Sequence, residues 1–309
     1  MSSDGQLKYS VSIIICTYNR AELLTSCLDS IYNQSISADC YEVIVVDNNS
    51  LDSTRDVVSG FMQKFKNLQY LNEKNQGLSF CRNAGYRAAQ SKYIAYIDDD
   101  AMAQPDWIEK IIIFLKDKPY VVAFGGRHAG YCPVEIPTWF PEHYINKSAG
   151  NANRPLSSHE WINGTNMIYT KSILEAMHGF NTDLGMKGKK VSYGEETKLQ
   201  NQIRQSGHEI YYVADLAVKH FVDPRKFSIW WNIKSFYGEG RTQIKTFKLN
   251  PQVTIHRKKM FRVFFLELRN LSATAKSKKK IYFSMRNIVL SYGTFIESIM
   301  IMLKREKAE

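Results

Sequence analysis

Several things are missing from this 309-residue chain, and each absence narrows what it can be. The N-terminal MSSDGQLKYS carries no apolar core of the kind a secretory leader needs, so no export signal is expected there. The five cysteines, Cys16, Cys27, Cys40, Cys81 and Cys132, are odd in number and form no C-x-x-C pair. That argues against a disulfide framework and a zinc site, and for a reducing, cytoplasmic setting. Neither a G-x-G-x-x-G turn nor a P-loop is present, which removes the dinucleotide-binding dehydrogenases and the P-loop NTPases. Long uncharged runs are scarce as well. Between Arg286 and Glu297 the stretch Asn287 to Ile296 has 10 residues, well short of the roughly 20 that span a bilayer.

With 44% hydrophobic and 23% charged residues, the chain has the make-up of a soluble globular protein with one main domain. The charge is uneven. From Arg241 onward there are 16 Lys and Arg against 4 Asp and Glu, whereas the residues before it are close to neutral. A basic tail on a neutral front points to an anionic partner for the tail. No nucleic-acid-binding module accompanies the charge, so nucleic acid is not the expected partner.

The front half alternates strand and helix patterns. Val11 to Cys16 is a continuous apolar run, the mark of a strand covered on both faces. It ends in Thr17, Tyr18, Asn19 and Arg20, after which Leu24, Cys27, Leu28 and Ile31 repeat at helical spacing. Tyr41 to Val46 is the second strand and ends in Asp47 and Asn48. Ser53 with Asp56 three residues on has the form of a capping box for a helix reaching Phe65. Leu68 to Leu71, then Asn75, Gln76 and Gly77, lead into a helix from Leu78 to Ala89. The spacing predicts an α/β domain with a mostly parallel sheet, its polar loops gathered where ligands bind, outside the carboxyl ends of the strands.

The fourth strand, Tyr93 to Ile97, stops at Asp98, Asp99 and Asp100, and Pro105 opens the helix Asp106 to Leu115. Three adjacent carboxylates at a strand end repel one another. A divalent cation relieves that repulsion, and Mg2+ or Mn2+ suits carboxylate oxygens; an acidic turn in solvent is the plain alternative. Gly125 to Pro155, with Pro133, Pro137 and Pro141, reads as a long loop. Its Trp139, Phe140 and Tyr144 either stack on a ligand or cover the core. Trp161 to Tyr169 reads as a strand interrupted by Asn163 and Gly164. Glu195 and Glu196 open a helix, a place where acids complement the dipole without further duty. Glu209 to Val213 reads as a strand, with His220 just beyond it.

VSIIICTYNR, YEVIVVDNNSLDST, NQGLSFCRNAGYRAAQSKYIAYIDDDA and GEETKLQNQIRQSGHEIYYV, in this order from Tyr9 to His220, resemble glycosyltransferase family 2. The resemblance implies a GT-A fold, a Rossmann-like α/β sheet flanked by helices, and inverting transfer from a nucleotide sugar to a saccharide or lipid-linked acceptor in cell-surface polysaccharide or glycolipid synthesis. It implies nucleotide-sugar contacts at Thr17, Tyr18, Arg20, Asp47, Asn48, Gly77, Arg82, Asn83, Asp98 and Asp99. Asp98 to Asp100 stands as the family's D-x-D, with Asp100, Asp98 and His220 around Mn2+ or Mg2+. Glu196, or failing that Glu195, falls in the position of the catalytic base, and Trp161, Asn163, Gly164 and Thr165 lie beneath the acceptor. Members that use uridine often carry Asp where this chain has Asn48, so the base of the nucleotide stays open.

The domain division that follows is a disordered 1–8, a catalytic domain 9–222 with a nucleotide-sugar half 9–125 and an acceptor half 126–222, and a basic helical tail 223–309. In the tail, Phe261, Phe264, Phe265 and Leu268 share a helical face near Lys276, Lys278, Lys279 and Lys280. Such a tail either lies on the anionic inner face of the cell membrane, as a peripheral protein does, or forms a helical cap or dimer face. Two other classes remain: a nucleotidyltransferase that makes the sugar nucleotide, for which no Gly-rich basic triphosphate loop is seen, and a non-catalytic scaffold on the same fold.

Overall fold

A computed structural model describes residues 9–188, 190–246, 262, 266 and 278–306. The expected disordered 1–8, the aromatic face at Phe261, Phe264, Phe265 and Leu268, and Lys276 lie outside the described residues. Two compact units are formed by the described residues of 1–131, 145–182 and 196–221, and of 132–144, 183–195 and 222–309.

The first unit is built on a nine-stranded sheet of order β3-β2-β1-β4-β8-β6-β9-β5, with β7 on β9. Its parallel part joins β1 (Val11–Thr17), β2 (Tyr41–Asp47), β3 (Leu68–Asn72) and β4 (Tyr93–Asp98). Antiparallel pairs then link β4 to β8 (Asn166–Thr170), β8 to β6 (Ala123–Tyr131), and β9 (Tyr211–Phe221) to β5 (Ala101–Ala103) and β7 (Arg154–Pro155), while β6 and β9 run parallel.

Strand alternation assigns each core residue to a side. Ile13, Ile15, Val43 and Val45 pack with Leu24, Cys27 and Leu28 of α1 (Ala21–Tyr32), Val58 of α2 (Thr54–Lys64), and Trp107 and Ile111 of α4 (Trp107–Asp117). Their neighbours Ile14, Ile44 and Val46 pack on the other face with Cys81 and Tyr86 of α3 (Leu78–Ala88), Ile173 of α5 (Lys171–Ala176), and Leu199 and Ile203 of α6 (Glu195–Gln205). Both sheet faces are covered, as the continuous apolar runs require.

Four local expectations need correction. Gly125 and Gly126 lie within β6 and not at the head of a long loop. A Cβ on Gly126 would stand 1.7 Å from the Leu216 carbonyl oxygen, and one on Gly125 2.5 Å from that of Asn166; the glycines record close backbone approach at a bulge, not chain flexibility. β9 runs on to Phe221, so His220 is inside the strand. Residues 161–165 are not strand, since their backbone partner is a side chain: Ile162 N–H donates to Gln200 Oε1 and Gln200 Nε2 donates to Ile162 O, both at 3.0 Å. At the start of α2 the Ser53 side chain makes no cap; Asp52 does, accepting the Thr54 N–H at 3.1 Å.

The second unit centres on α7 (Ile229–Thr246) and α8 (Lys278–Glu306). Asn232 meets Tyr282, Glu239 meets Arg286 and Arg241 meets Glu297, so the two helices run parallel. Phe140 is buried against Phe227, with ring centroids 4.9 Å apart, and Trp139 lies 5.4 Å from Tyr282; these aromatics cover a core. Among the described residues no helix is long and apolar enough to cross a membrane.

Candidate active site

Register brings the polar strand ends together. Thr17 pairs with Asp47, Asp47 with Asn72, and Cys16 with Asp98, so β1 to β4 end on one line. β9 then returns antiparallel to the short β5, placing His220 opposite Ala101, and the Phe221 N–H donates to the Asp100 carbonyl at 2.9 Å. Asp98, Asp100 and His220 each offer a ligand atom within 4.8 Å of the others. His220 Nε2 is 3.2 Å from Asp100 Oδ1, and its buried Nδ1 has no hydrogen-bond partner.

Cations hold this acidic turn. Arg20 Nη1 lies 3.0 Å from Asp99 Oδ1 and 2.8 Å from Asp100 Oδ2, and Arg82, itself buried, is 3.5 Å from Asp98. Three carboxylates meet two guanidiniums, which leaves this set one negative charge in excess. Burial lifts the Asp98 pKa against the pull of Arg82. The Asp99 pKa is pushed up to about 6, again by burial, with Arg20 opposing and Asp100 adding to the rise. A divalent cation fits this donor set: two carboxylates and an imidazole suit Mn2+, and the carboxylates alone suit Mg2+.

Glu196 approaches the same place from α6. Gln200, one turn on and on the same helical face, straps Ile162, which brings Gly164 under the helix start. A Cβ on Gly164 would stand 2.7 Å from Arg82 Nη2 and 3.3 Å from Glu196 Oε1. Glu196 Oε2 is buried and accepts no hydrogen bond. Glu195 precedes it and is buried, and successive helical residues point about 100° apart. Thr165 Oγ1 is likewise buried without a partner, Asn163 Nδ2 is 3.3 Å from His128 Nδ1, and Trp161 Nε1 reaches Asn201 at 3.5 Å.

Other expected nucleotide contacts are already engaged. Asn48 Nδ2 donates to the carbonyls of Glu73 (3.0 Å) and Asn75 (2.8 Å), while its Oδ1 accepts from Gln76 Nε2 (2.9 Å) and the Gly77 N–H (2.7 Å). That uses the amide's full capacity and ties the 73–77 loop to β2. Asn83 clamps the Phe180 backbone, donating to its carbonyl and accepting its N–H, both at 2.8 Å. Asp47 accepts the Tyr70 hydroxyl at 2.7 Å and the Ser50 N–H at 2.9 Å. Tyr18 remains half-buried at the same edge.

Three residues near the site carried no sequence signal that was read. His128 is buried with its ring 5.3 Å from that of His220, and its backbone exchanges hydrogen bonds with Lys147. The Lys147 ammonium is pushed down by desolvation and held up by Glu196. Buried Asn166 ties the sheet, accepting from Trp107 Nε1 at 3.0 Å and donating to the Leu216 and Arg127 carbonyls at 2.9 and 3.1 Å. The glycine pair at 125 and 126, once read as strand, would have put His128 at this edge.

Solved structures share this architecture. A mannosyltransferase from Pyrobaculum calidifontis in complex with GDP-Man and Mn2+ aligns with a TM-score of 0.62 at 18% identity, over 93% of this chain and 86% of that one. TarS residues 1–349 from S. aureus aligns with a TM-score of 0.56 at 16% identity, over 92% and 91%. The fold is thus that of the GT-A glycosyltransferases. Sequence carries the assignment to the family: residues 12–177 match Glycosyl transferase family 2, more than half of the chain, and the protein belongs to that family of glycosyl-transferring enzymes. Glucosyl-dolichyl phosphate glucuronosyltransferase of Haloferax volcanii is 28% identical over 255 residues, 79% of either chain. Poly(ribitol-phosphate) beta-glucosyltransferase of Bacillus spizizenii is 34% identical over 117 residues, 37% of this chain and 18% of that one.

Proposed function

We propose that the enzyme moves a sugar from a nucleoside diphosphate donor to a hydroxyl of a saccharide or lipid-linked acceptor, with inversion at the anomeric carbon, in the synthesis of a surface polysaccharide or glycolipid. The observation that carries this reading is the buried Glu196 Oε2, an acceptor without a donor, facing the acidic edge of the sheet. The related structures with GDP-Man and Mn2+ and with UDP-GlcNAc support the donor class. The names of two relatives, glucosyl-dolichyl phosphate glucuronosyltransferase and poly(ribitol-phosphate) beta-glucosyltransferase, support the acceptor class.

In the reaction the bond from the anomeric carbon to the diphosphate oxygen breaks as the acceptor oxygen bonds from the opposite face. Glu196 Oε2 takes the acceptor's proton, a general-base task worth typically about 10²–10⁴-fold. Asp98, Asp100 and His220 would hold a divalent cation, which supplies Lewis-acid neutralisation of the leaving diphosphate. Arg20 and Arg82 keep the acidic turn in place between turnovers. Gly164 lets Arg82 and Glu196 come close to the backbone beside the acidic turn.

Turnover of Glu196→Gln and Glu195→Gln tests the assignment. Glu196→Gln is expected to lose the general-base factor while donor binding persists. Near-wild-type turnover in Glu196→Gln with loss in Glu195→Gln would move the base to Glu195.

A further inference from the structure

Within the second unit, α7 and the segment 190–192 line a cavity of about 160 Å3 whose walls carry three cations, Lys190, Lys234 and Arg241, and no carboxylate. On α7, Lys234, Gly238, Arg241 and Thr242 recur at the three- and four-residue spacing that keeps them on one face. A Cβ on Gly238 would stand 2.5 Å from the Val191 carbonyl oxygen, so the segment lies directly on the helix there. The Tyr193 N–H donates to Thr242 Oγ1 at 3.0 Å, and the hydroxyls of Tyr193 and Ser235 are 2.8 Å apart. These contacts pin the segment at two more points and fix Ser192 between them. Lys190 is tied as well, exchanging backbone hydrogen bonds with Lys187 around a turn that contains Gly188, at φ 53°.

Arg241 is oriented before any ligand arrives. Its Nε donates to Glu297 at 2.6 Å, and its guanidinium carbon lies 5.8 Å from the centre of the Tyr237 ring. Neither contact uses Nη1 or Nη2, and these planar N–H donors make no hydrogen bond with the described residues. Among the described residues Lys234 likewise has no ion-pair partner, and the Ser192 hydroxyl has no hydrogen bond. We propose that this cavity binds the phosphoryl group of a phosphate ester. A planar guanidinium fork matches phosphate oxygens, and ammonium groups answer the second charge. Val191 and the Tyr237 ring place apolar wall beside the cations, which suits the carbon side of an ester. One water takes about 10–15 Å3 of such space, so the cavity has room for a group several times larger. A lipid phosphate and a soluble phosphate ester present the same chemistry to it. The inference goes beyond the proposed reaction and does not depend on it.

Two measurements on the full chain test it and separate the sources: calorimetric titration with glycerol phosphate, and flotation with phosphatidylcholine vesicles with and without phosphatidic acid. Wild type is expected to bind at least one probe. Heat on titration assigns a soluble ester, and flotation that needs phosphatidic acid, without such heat, assigns a lipid phosphate. The double variant Lys234→Gln with Ser192→Ala should weaken the binding about tenfold or more, the scale of one lost hydrogen bond to a charged group. Its melting curve without ligand should match that of wild type, since neither side chain holds another part of the unit. Arg20→Gln, at the acidic edge of the sheet, should bind the probe as wild type does. Absence of binding to both probes, equal binding by the double variant, or loss of binding in Arg20→Gln alone would each overturn the proposal.

Discussion

Asn48, expected from the sequence as a nucleotide contact, has its whole side chain engaged by the protein. Its amide donates to two carbonyls of the 73–77 loop and accepts from two donors there. A carboxylate cannot donate, so Asn48→Asp strands both carbonyls and sets a charge against them. It is expected to destabilise the first unit by about 1–3 kcal/mol, as urea unfolding would show. The amide at position 48 therefore has a structural role of its own. Gly164 is the converse case, a residue whose missing side chain lets Arg82 and Glu196 approach the backbone. Gly164→Ala would push Arg82 and Glu196 apart, and misplacement on the scale of 1 Å can cost about 10²-fold in rate. The expected outcome is a large fall in kcat with a small shift in melting temperature. A fall in stability without one in kcat would remove Gly164 from the site.

At the scale of elements, the sheet's centre was legible because β1, β2 and β4 are largely apolar runs, and burial on both faces is the physical reason for them. β6 was not, because Gly125 and Gly126 look like loop residues until the carbonyls of Asn166 and Leu216 are seen pressing on them. The acidic turn from Asp98 and the helix start at Glu195 could be placed from order along the chain. The strap from Gln200 to Ile162, which holds Gly164 beneath Glu196, is a side-chain to backbone contact that no periodicity encodes. The start of α2 is a similar case, with Asp52 accepting from the Thr54 N–H and hydroxyl and from the Ala21 N–H. Burial acts to raise the Asp52 pKa, but these hydrogen bonds outweigh it and hold the carboxyl below its ordinary 3.8. A depressed folded-state pKa means that the stabilisation is complete above the unfolded value and fades as pH falls through the folded one. Asp52→Asn should therefore melt below wild type at neutral pH, by a cap's worth of about 1 kcal/mol. The gap should close as pH drops below 3.8. A gap that persists in acid would assign it to geometry alone.

For the whole molecule, the decisive quantity is whether the acidic edge of the sheet binds cation and nucleotide as one event. Asp98, Asp99 and Asp100 are held at the strand end by two arginines, with a negative charge left over in the set and His220 Nδ1 lacking a partner. A nucleoside diphosphate adds further negative charge at that edge, so it should bind weakly alone and well with Mn2+ or Mg2+. By linkage, a ligand at 100 times its Kd stabilises the folded state by about 2.7 kcal/mol, enough to move a thermal transition by several degrees. Melting curves with UDP, GDP, TDP and CDP, each with and without the metal, should show one nucleotide shifting the transition only when the metal is present. Asp100→Asn should abolish the metal-dependent part of that shift, because it removes a ligand oxygen that Asp98 and His220 cannot replace. Glu196→Gln, outside the ligand set, should keep it. If Asp100→Asn responds to nucleotide and metal as wild type does, the cation is held elsewhere and the Asp98, Asp100 and His220 cluster is not its site.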